Sequence, residues 1–328
     1  MIGDSNQQIM CSIVIRAYNE AKLIERLLIG IEQQTIKSIE VIVVDSGSSD
    51  DTAAIAAKHN AKIINISPEE FTFGRSLNRG IAAGQGEFIV IVSAHCFPVY
   101  PDWLERLLAP FTDENTAITY GKQRGGETNH FSEHQIFKKY YPEISQLRQG
   151  NPFSHNANSA IRRVLWEKNP FNENLTGLED LAWSSWVMEE NYGIAYISEA
   201  EVIHQHEENP QQVLNRHFRE AVAMKQILPD SKFTFWNFLR LWQSSVYSDL
   251  LAARRDSVFV SVWWSIIWFR FLQYFGTYRG YHYSGKIDSN LHRTFYYPPN
   301  ILDDKNPASR KVQPIDYNVT EAERNTEV

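Results

Sequence analysis

Short apolar runs alternate with amphipathic segments along the first hundred residues. The clearest run is Phe88 to Val92, where five consecutive apolar residues include four that are β-branched. A run without polar alternation is typical of a strand buried on both faces of a parallel sheet. Between the runs, apolar residues recur at helical spacing, and Asn19 is the expected cap of the first helix. The alternation predicts a doubly wound, mostly parallel α/β sheet. The four predicted strands cover 12–15, 40–45, 62–66 and 88–92.

Polar residues follow the predicted strands where each one leaves the sheet. Asp45 ends the second strand, and Asp50 or the residue after it starts the following helix. The fourth strand ends in Ser93-Ala94-His95, and Pro98 is expected to prevent it from resuming. Ligands bind at the carboxyl ends of strands in open α/β sheets, so His95 is a candidate site residue. On this stretch alone, a loop histidine without a role is the better interpretation.

The middle of the chain gives weaker signals. Residues 117–120 predict a strand, whereas residues 122–150 have no clean periodicity and suggest a mobile loop over the site. Further on, Glu179 and Asp180 begin a helix that carries Trp183 on its inward side. Carboxylates are favoured in the first turn of any helix, so two dipole-stabilising surface acids are the alternative to a functional pair.

Composition excludes several classes of protein. A chain of 328 residues with 43% hydrophobic residues is sufficient for one large domain with an extension. The net charge of −7 argues against nucleic acid as a partner, because phosphate binding requires a basic face. Two cysteines, Cys11 and Cys96, are too few for a disulfide framework and indicate a reducing cytosol. Residues 1–8 lack the charged and apolar regions of a signal peptide.

The last third of the chain concentrates the aromatic residues. Residues 211–227 predict a basic amphipathic helix, and residues 233–283 are rich in Trp, Tyr and Phe. The longest uncharged apolar run covers residues 257–269, which is shorter than the roughly 20 residues that a membrane span needs. We therefore expect helices that lie in the headgroup region, and a helical subdomain or oligomer interface is the alternative. Four arginines would face anionic lipid: Arg254, Arg255, Arg270 and Arg279.

Several motifs resemble the inverting family 2 glycosyltransferases, which have the nucleotide-diphospho-sugar (GT-A) fold. The resemblance covers about residues 10–225 and rests on motifs in the expected order. Three of them are S-I-V-I-R-A-Y-N-E at 12–20, V-V-D-S-G-S-S-D-D-T at 43–52 and G-L-E-D at 177–180. A fourth, F-T-F-G-R-S-L-N-R-G at 71–80, looks like the rhamnosyltransferase-like branch of the family.

The resemblance implies a role for each matching residue. Asp180 would be the general base, with Glu179 orienting the acceptor or supporting the site, and the two roles could be exchanged. The donor sugar or acceptor would meet Asn158 and Trp183, although a turn or sheet role suits Asn158 equally well. The residues expected to bind the donor nucleotide are Arg16, Tyr18, Glu20, Asp45, Arg75, Asn78, Ser93 and Ala94. For Glu20 and Arg75, ordinary surface roles are nearly as good an interpretation.

The chain departs from the family at the metal-binding motif. Most relatives carry Asp-x-Asp where this chain has Ser93-Ala94-His95, and the carboxylates of that motif bind Mg²⁺ or Mn²⁺. An imidazole shifts the preference towards Mn²⁺ or another transition metal. Either His95 binds a divalent cation with help from His204, or the diphosphate is held without metal by His95, arginine and backbone N–H groups. His206 is a weaker candidate than His204.

Together these inferences predict a GT-A domain over residues 1–228, with a donor half at about 10–100 and an acceptor half at about 101–228. A helical extension at 229–302, membrane-associating or oligomerising, and a mobile tail at 303–328 would follow. The expected activity is that of a hexosyltransferase that uses dTDP-rhamnose or a UDP-sugar. Its acceptor would be a lipid-linked oligosaccharide or a bacterial surface glycan such as O-antigen or capsule, at the cytoplasmic face of the inner membrane. The alternative is an inactive nucleotide-sugar-binding or scaffold protein, and the intact Glu179-Asp180 pair speaks against it.

Overall fold

The structure is a computed structural model that describes residues 9–285 and 312–317. The expectation about a signal peptide at 1–8, the last part of the helical extension and most of the tail lie outside the described residues. The described part of the tail differs from the expected mobile segment, because it packs against the domain. Ile315 N donates to Val99 O at 3.1 Å, and the Tyr317 hydroxyl donates to Pro98 O at 2.7 Å.

The described residues form one mixed sheet with the strand order β3-β2-β1-β4-β7-β6-β8-β5. The strands are β1 Cys11–Ala17, β2 Ile39–Asp45, β3 Lys62–Asn65, β4 Phe88–Ser93, β5 Cys96–Pro98, β6 Thr116–Gly125, β7 Asn158–Arg162 and β8 Gly193–His204. The first four strands are mutually parallel, as predicted, and β6 is parallel to β8. The pairs β4–β7, β6–β7 and β5–β8 are antiparallel, so the sheet is less parallel than expected.

Helices cover both faces of the sheet. They are α1 Ile24–Glu32, α2 Thr52–Lys58, α3 Phe73–Ala82, α4 Trp103–Leu108, α5 Phe131–Tyr140, α6 Arg163–Lys168, α7 Glu179–Glu189, α8 Pro210–Ile227, α9 Phe235–Arg255 and α10 Phe259–Tyr281. Alternate residues of β1 enter different cores: Ile13 and Ile15 pack on one face and Val14 on the other. This two-sided burial explains why the central strands are apolar without alternation.

Residues 122–150 are not the mobile loop that the sequence suggested. β6 continues to Gly125, and α5 follows with a capping box between His130 and Glu133. Glu133 is buried, and its carboxylate also accepts from Arg216 at 2.9 Å. A helix that buries a paired carboxylate has no simple apolar stripe, which is why its periodicity gave no signal.

Two local predictions also need correction. Pro98 does not end the strand region, because Cys96–Pro98 forms β5 at the sheet edge, where a missing N–H is tolerated, and pairs with β8. Asn19 does not cap the first helix, which begins at Ile24 after Leu23. Asn19 instead adopts a left-handed backbone with φ of 54° and accepts from Ser49 N at 2.8 Å.

The C-terminal helices form a hairpin, α9–α10, that packs on α8 and α5. Arg270 is only 6% exposed and is bonded to Asp249, with Nε donating to Oδ2 at 2.7 Å. The prediction that Arg270 contacts lipid is therefore wrong, because the guanidinium neutralises a buried carboxylate. Among the described residues, no helix combines the length and hydropathy needed to cross a membrane.

Candidate active site

The carboxyl ends of β1, β2 and β4 lie side by side. Ala17 pairs with Asp45 in the register of β1 and β2, and Arg16 pairs with Ser93 in the register of β1 and β4. The three loops that carry the predicted nucleotide-binding residues therefore leave the sheet at one edge. Of these residues, Tyr18, Glu20 and Ser93 are half-buried and Ala94 is buried.

Hydrogen bonds tie the loop after β1 to the loop after β2. Glu20 N donates to Thr52 Oγ1 at 2.8 Å, and Ala21 N donates to Asp50 Oδ2 at 3.1 Å. Asp50 therefore braces the neighbouring loop as well as the turn before α2. These bonds set the backbone at Glu20, whose carboxylate contacts His95.

Asp45 presents an acceptor to this edge of the sheet. Its Oδ2 accepts from Gly47 N at 3.2 Å and Ser48 N at 3.1 Å, while its buried Oδ1 has no hydrogen-bond partner among the described residues. Gly47 has φ of 88°, a conformation that favours glycine. An unsatisfied buried acceptor is costly, which makes Asp45 Oδ1 a good candidate for bonding a ligand N–H or hydroxyl.

The acid pair stands at the start of α7. Glu179 is 4% exposed and accepts from Arg16 Nη1 at 2.9 Å and from Asn156 Nδ2 at 3.3 Å. Asp180 is half-buried and accepts from two backbone N–H groups, those of Asn156 at 3.1 Å and Leu181 at 2.8 Å. The alternative of two dipole-stabilising surface acids does not fit this burial.

The two acids have unequal electrostatic environments. Burial and the adjacent Glu179 carboxylate raise the pKa of Asp180 to about 7, against the smaller opposing effects of the two N–H groups and Arg16. Glu179 has a guanidinium partner, whereas Asp180 has only amide donors. Asp180 can therefore both accept and release a proton near neutral pH.

Three histidines cluster where β4 and β8 end. The ring centroids of His204 and His206 are 4.2 Å apart, and that of His95 lies 5.1 Å from His204 and 5.6 Å from His206. The short strand β5 brings His95 next to His204 and His206, because Cys96 pairs with His204 and Gln205 N donates to His95 O at 3.0 Å.

Each of these histidines uses Nδ1 to bond an oxygen outside the cluster. His95 Nδ1 bonds Glu20 Oε1 at 2.7 Å, His204 Nδ1 bonds Gln123 Oε1 at 2.7 Å and His206 Nδ1 bonds Glu133 Oε1 at 2.9 Å. Burial, followed by the nearby His206 and His95, lowers the pKa of His204 well below its usual value. Burial also opposes the charged form of His95, but Glu20 outweighs it and raises the pKa of His95.

A second group of potential metal ligands, Glu133, His206 and Glu208, already contains a cation. Arg216 Nη2 lies 2.9 Å from Glu133 Oε1 and 2.5 Å from Glu208 Oε2. Burial disfavours the charged carboxylate of Glu133, but His206 and Arg216 outweigh burial and hold its pKa far below the usual range. The guanidinium occupies the position that a metal would need.

Two residues predicted to bind the donor nucleotide serve as links within the protein. Asn78 Nδ2 donates to Phe171 O and Glu173, and its Oδ1 accepts from Trp166 Nε1 and Phe171 N. Arg75 Nε donates to Glu173 Oε2 at 2.7 Å. These contacts dock α3 on residues 171–173 and favour a structural role for both side chains.

The predicted sugar contacts are also engaged internally. Asn158 is fully buried, accepts from Trp103 Nε1 and donates to the carbonyl oxygens of Lys122 and Ala200. Trp183 is buried in the core, and its Nε1 donates to Asn169 O at 2.6 Å. Both geometries favour support of the sheet and α7 over direct contact with a substrate.

Sequence reasoning ranked His206 below His204, whereas the structure places the two rings side by side, and it did not identify Gln123 or Glu133 as their hydrogen-bond partners. The pattern His-Gln-His at 204–206 was a usable signal, because alternate residues of an extended segment point to one side. No signal marked Gln123 or Glu133, because nothing local distinguishes a polar residue that bonds a histidine about 80 positions away.

Solved structures share this architecture. The mannosyltransferase PcManGT of Pyrobaculum calidifontis, solved with GDP-mannose and Mn²⁺, superposes with a TM-score of 0.57 over 87% of each chain at 16% identity. At that level of identity the similarity concerns the fold alone. The shared architecture is the nucleotide-diphospho-sugar (GT-A) fold, which confirms the predicted fold class.

Sequence comparison finds similarity to one family of glycosyltransferases. The sequence model of Glycosyl transferase family 2 matches residues 12–169, which is just under half of the chain. The O-antigen chain rhamnosyltransferase WbaN of Salmonella anatum is 31% identical over 204 residues, which cover 58% of this chain and 64% of WbaN. The rhamnosyltransferase RfbN of Salmonella typhimurium is 28% identical over 223 residues, 64% of this chain and 71% of RfbN. The alignment with WbaN thus spans less than two thirds of that relative.

Proposed function

We propose that the chain is an inverting glycosyltransferase that moves a sugar from a nucleotide-diphosphate donor to a glycan acceptor. The similarity to two O-antigen rhamnosyltransferases favours dTDP-rhamnose as donor, with a UDP-sugar as the alternative. The acceptor would be a bacterial surface polysaccharide or a lipid-linked oligosaccharide.

The unequal acid pair carries this proposal. Inversion requires a base on the face opposite the leaving diphosphate, which removes the proton of the acceptor hydroxyl as its oxygen attacks the anomeric carbon. A carboxylate with a pKa near the operating pH is suited to that step. Asp180 has this property, whereas Glu179 is held by Arg16. Asp180 is therefore the proposed base. Glu179 would position both Asp180 and Arg16.

On the donor side, Asp45 would bond the base or ribose through the Oδ1 that has no partner among the described residues. A divalent cation fits the residues present, because His204 Nε2 is buried and has no partner among the same residues. His95 and His204 would hold the cation, which when bound neutralises charge on the leaving diphosphate. The metal-independent alternative assigns that charge to His95, arginine and backbone N–H groups.

On the acceptor side, the exposed surface of the α9–α10 hairpin suits a membrane surface. Val260 is 86% exposed and Trp264 62% exposed, and Trp263 and Trp268 lie on the same half of α10. Exposed basic residues lie beside the turn between the helices: Arg254 and Arg255 end α9, and Lys138 of α5 lies 3.9 Å from Asp256 in the turn. Apolar aromatic rings beside basic side chains favour an anionic headgroup region, where a lipid-linked acceptor would be found.

The proposal is tested by incubating the full chain with dTDP-rhamnose and a panel of UDP-sugars and measuring release of nucleotide diphosphate. Asp180→Asn should reduce turnover about 10²–10⁴-fold, the usual contribution of a general base, while nucleotide affinity stays unchanged. Asp113→Asn is the matched control, since Asp113 is an exposed aspartate in the turn before β6. Retained activity in Asp180→Asn would remove Asp180 as base. Tight nucleotide binding without turnover of any donor would favour the inactive binding or scaffold protein.

A further inference from the structure

The histidine cluster has a feature that goes beyond a pair of metal ligands. One ring nitrogen from each of His95, His204 and His206 lies within 4.8 Å of one from each of the others. Because Nδ1 of every ring bonds an oxygen outside the cluster, Nε2 is the nitrogen of each ring that remains available to a ligand. Three imidazoles from two different parts of the chain thus meet without an internal counter-ion among them.

The oxygens behind the rings determine which nitrogen carries the proton. A carboxylate only accepts, so Glu20 and Glu133 require Nδ1–H on His95 and His206. The amide oxygen of Gln123 does the same for His204. A neutral imidazole protonated at Nδ1 has its lone pair at Nε2, and this is how an outer oxygen orients a histidine ligand. His204 Nε2 is buried and has no partner among the described residues.

A fourth histidine in the same place provides a contrast. The ring centroid of His155 lies 6.0 Å from that of His204, yet His155 Nδ1 accepts from Ala157 N at 3.2 Å. Its lone pair at Nδ1 is used, so the neutral ring carries its proton at Nε2 and cannot ligate through that atom. Three of the four clustered rings therefore have a lone pair at Nε2 that can bind a metal, whereas His155 carries its proton there.

We infer that His95, His204 and His206 form a three-histidine site for a divalent transition metal, and that Glu20, Gln123 and Glu133 orient its ligands. Three neutral nitrogen donors favour Mn²⁺, Co²⁺ or Zn²⁺ over Mg²⁺, which prefers an oxygen environment. The site deepens the proposed function and rests on it for its catalytic purpose, because the cation would serve the sugar-diphosphate donor. The site also replaces the Asp-x-Asp ligands that this chain lacks with neutral ones, so the metal keeps its full positive charge there.

The metal alone is the probe. Binding of Mn²⁺ and of Mg²⁺ to the full chain is measured by calorimetry without nucleotide, and nitrogen couplings of bound Mn²⁺ are measured by pulsed EPR. We expect Mn²⁺ to bind at least about tenfold more tightly than Mg²⁺. His206→Ala should weaken Mn²⁺ binding more than about tenfold, and Glu20→Gln should weaken it about 10–100-fold through His95. The matched control His155→Ala should bind Mn²⁺ like the unmodified chain.

Equal loss of Mn²⁺ affinity in His155→Ala and His206→Ala would overturn the assignment, as would Mg²⁺ binding as tight as that of Mn²⁺. Thermal unfolding of each variant without metal shows whether it has folded. If a variant has not, the nitrogen couplings of Mn²⁺ in the unmodified chain still decide, since their absence excludes histidine ligands. Donor hydrolysis is measured separately: a chain that binds Mn²⁺ through histidines and hydrolyses no donor retains the site and loses the proposed function.

Discussion

The sheet edge and the α9–α10 hairpin differ in which residues they bury and which they expose. The sheet buries its aliphatic residues and presents acids, histidines and arginines where its strands end. The hairpin buries the ion pair between Arg270 and Asp249 and exposes Trp263 and Trp264. Polar groups grouped at the end of a sheet indicate chemistry on a small ligand, whereas exposed aromatic rings indicate contact with an extended surface.

The largest effect on stability should come from breaking the ion pair of the hairpin. Arg270→Met leaves Asp249 buried without its partner, and we expect the free energy of unfolding to fall by about 3–5 kcal/mol. Urea denaturation measures the change. The double variant Arg270→Met with Asp249→Leu should recover most of the loss, because no uncompensated charge remains. A single variant as stable as the unmodified chain would show that the hairpin does not depend on this pair.

Removing exposed aromatic rings should affect binding to membranes without affecting stability. Replacing Trp263 and Trp264 by Ser should weaken binding to anionic vesicles by about tenfold or more, because each ring contributes about 1–2 kcal/mol of apolar burial. Sedimentation with vesicles of phosphatidylglycerol and phosphatidylcholine measures it. Val164→Ser is the control, since Val164 is an exposed apolar residue on α6. Unchanged vesicle binding, together with a change from dimer to monomer, would favour the oligomer interface instead.

The ionised carboxylate of Asp180 should reduce the stability of the folded chain. The pKa of Asp180 is raised in the folded state to about 7 from its ordinary value near 4, so ionisation above that range destabilises the fold. Asp180→Asn should therefore be more stable at pH 8 by about 1–2 kcal/mol, after allowance for a lost hydrogen bond. The advantage should disappear below about pH 4, where the acid is protonated in both states. Thermal unfolding at both pH values checks this, and a less stable variant at pH 8 would contradict it.

The smallest expected effect is a shift in the pH dependence of turnover. Because the proposed base acts when deprotonated, turnover should rise with pH through the pKa of Asp180, about 7. Arg16 lowers that pKa, so Arg16→Met should move the rise to higher pH by about half a unit to one unit. Arg106→Met, on the exposed side of α4, is the control. Turnover that stays constant from pH 5 to 8 would remove the titration of Asp180 from the rate.

Local pattern was sufficient for the parallel strands but not for the elements that complete the site. The strands predicted at 12–15, 40–45 and 88–92 correspond to β1, β2 and β4, because burial on both faces favours a continuous apolar run. The segments β5 and α5 went unpredicted, since one is a three-residue edge strand and the other buries Glu133 against Arg216. Their stability comes from partners far away in the chain.

The sequence by itself determined the fold class, the resemblance to the family 2 glycosyltransferases and the position of the acid pair, because these depend on periodicity and on short ordered motifs. Only the tertiary structure decided which polar residues are engaged with one another. Arg16 bonds Glu179, which is 163 positions away in the sequence, and Arg270 is buried. His95 lies beside His204 and His206. Such contacts depend on sheet order and register, and a pattern of neighbouring residues carries no information about which distant strand lies alongside.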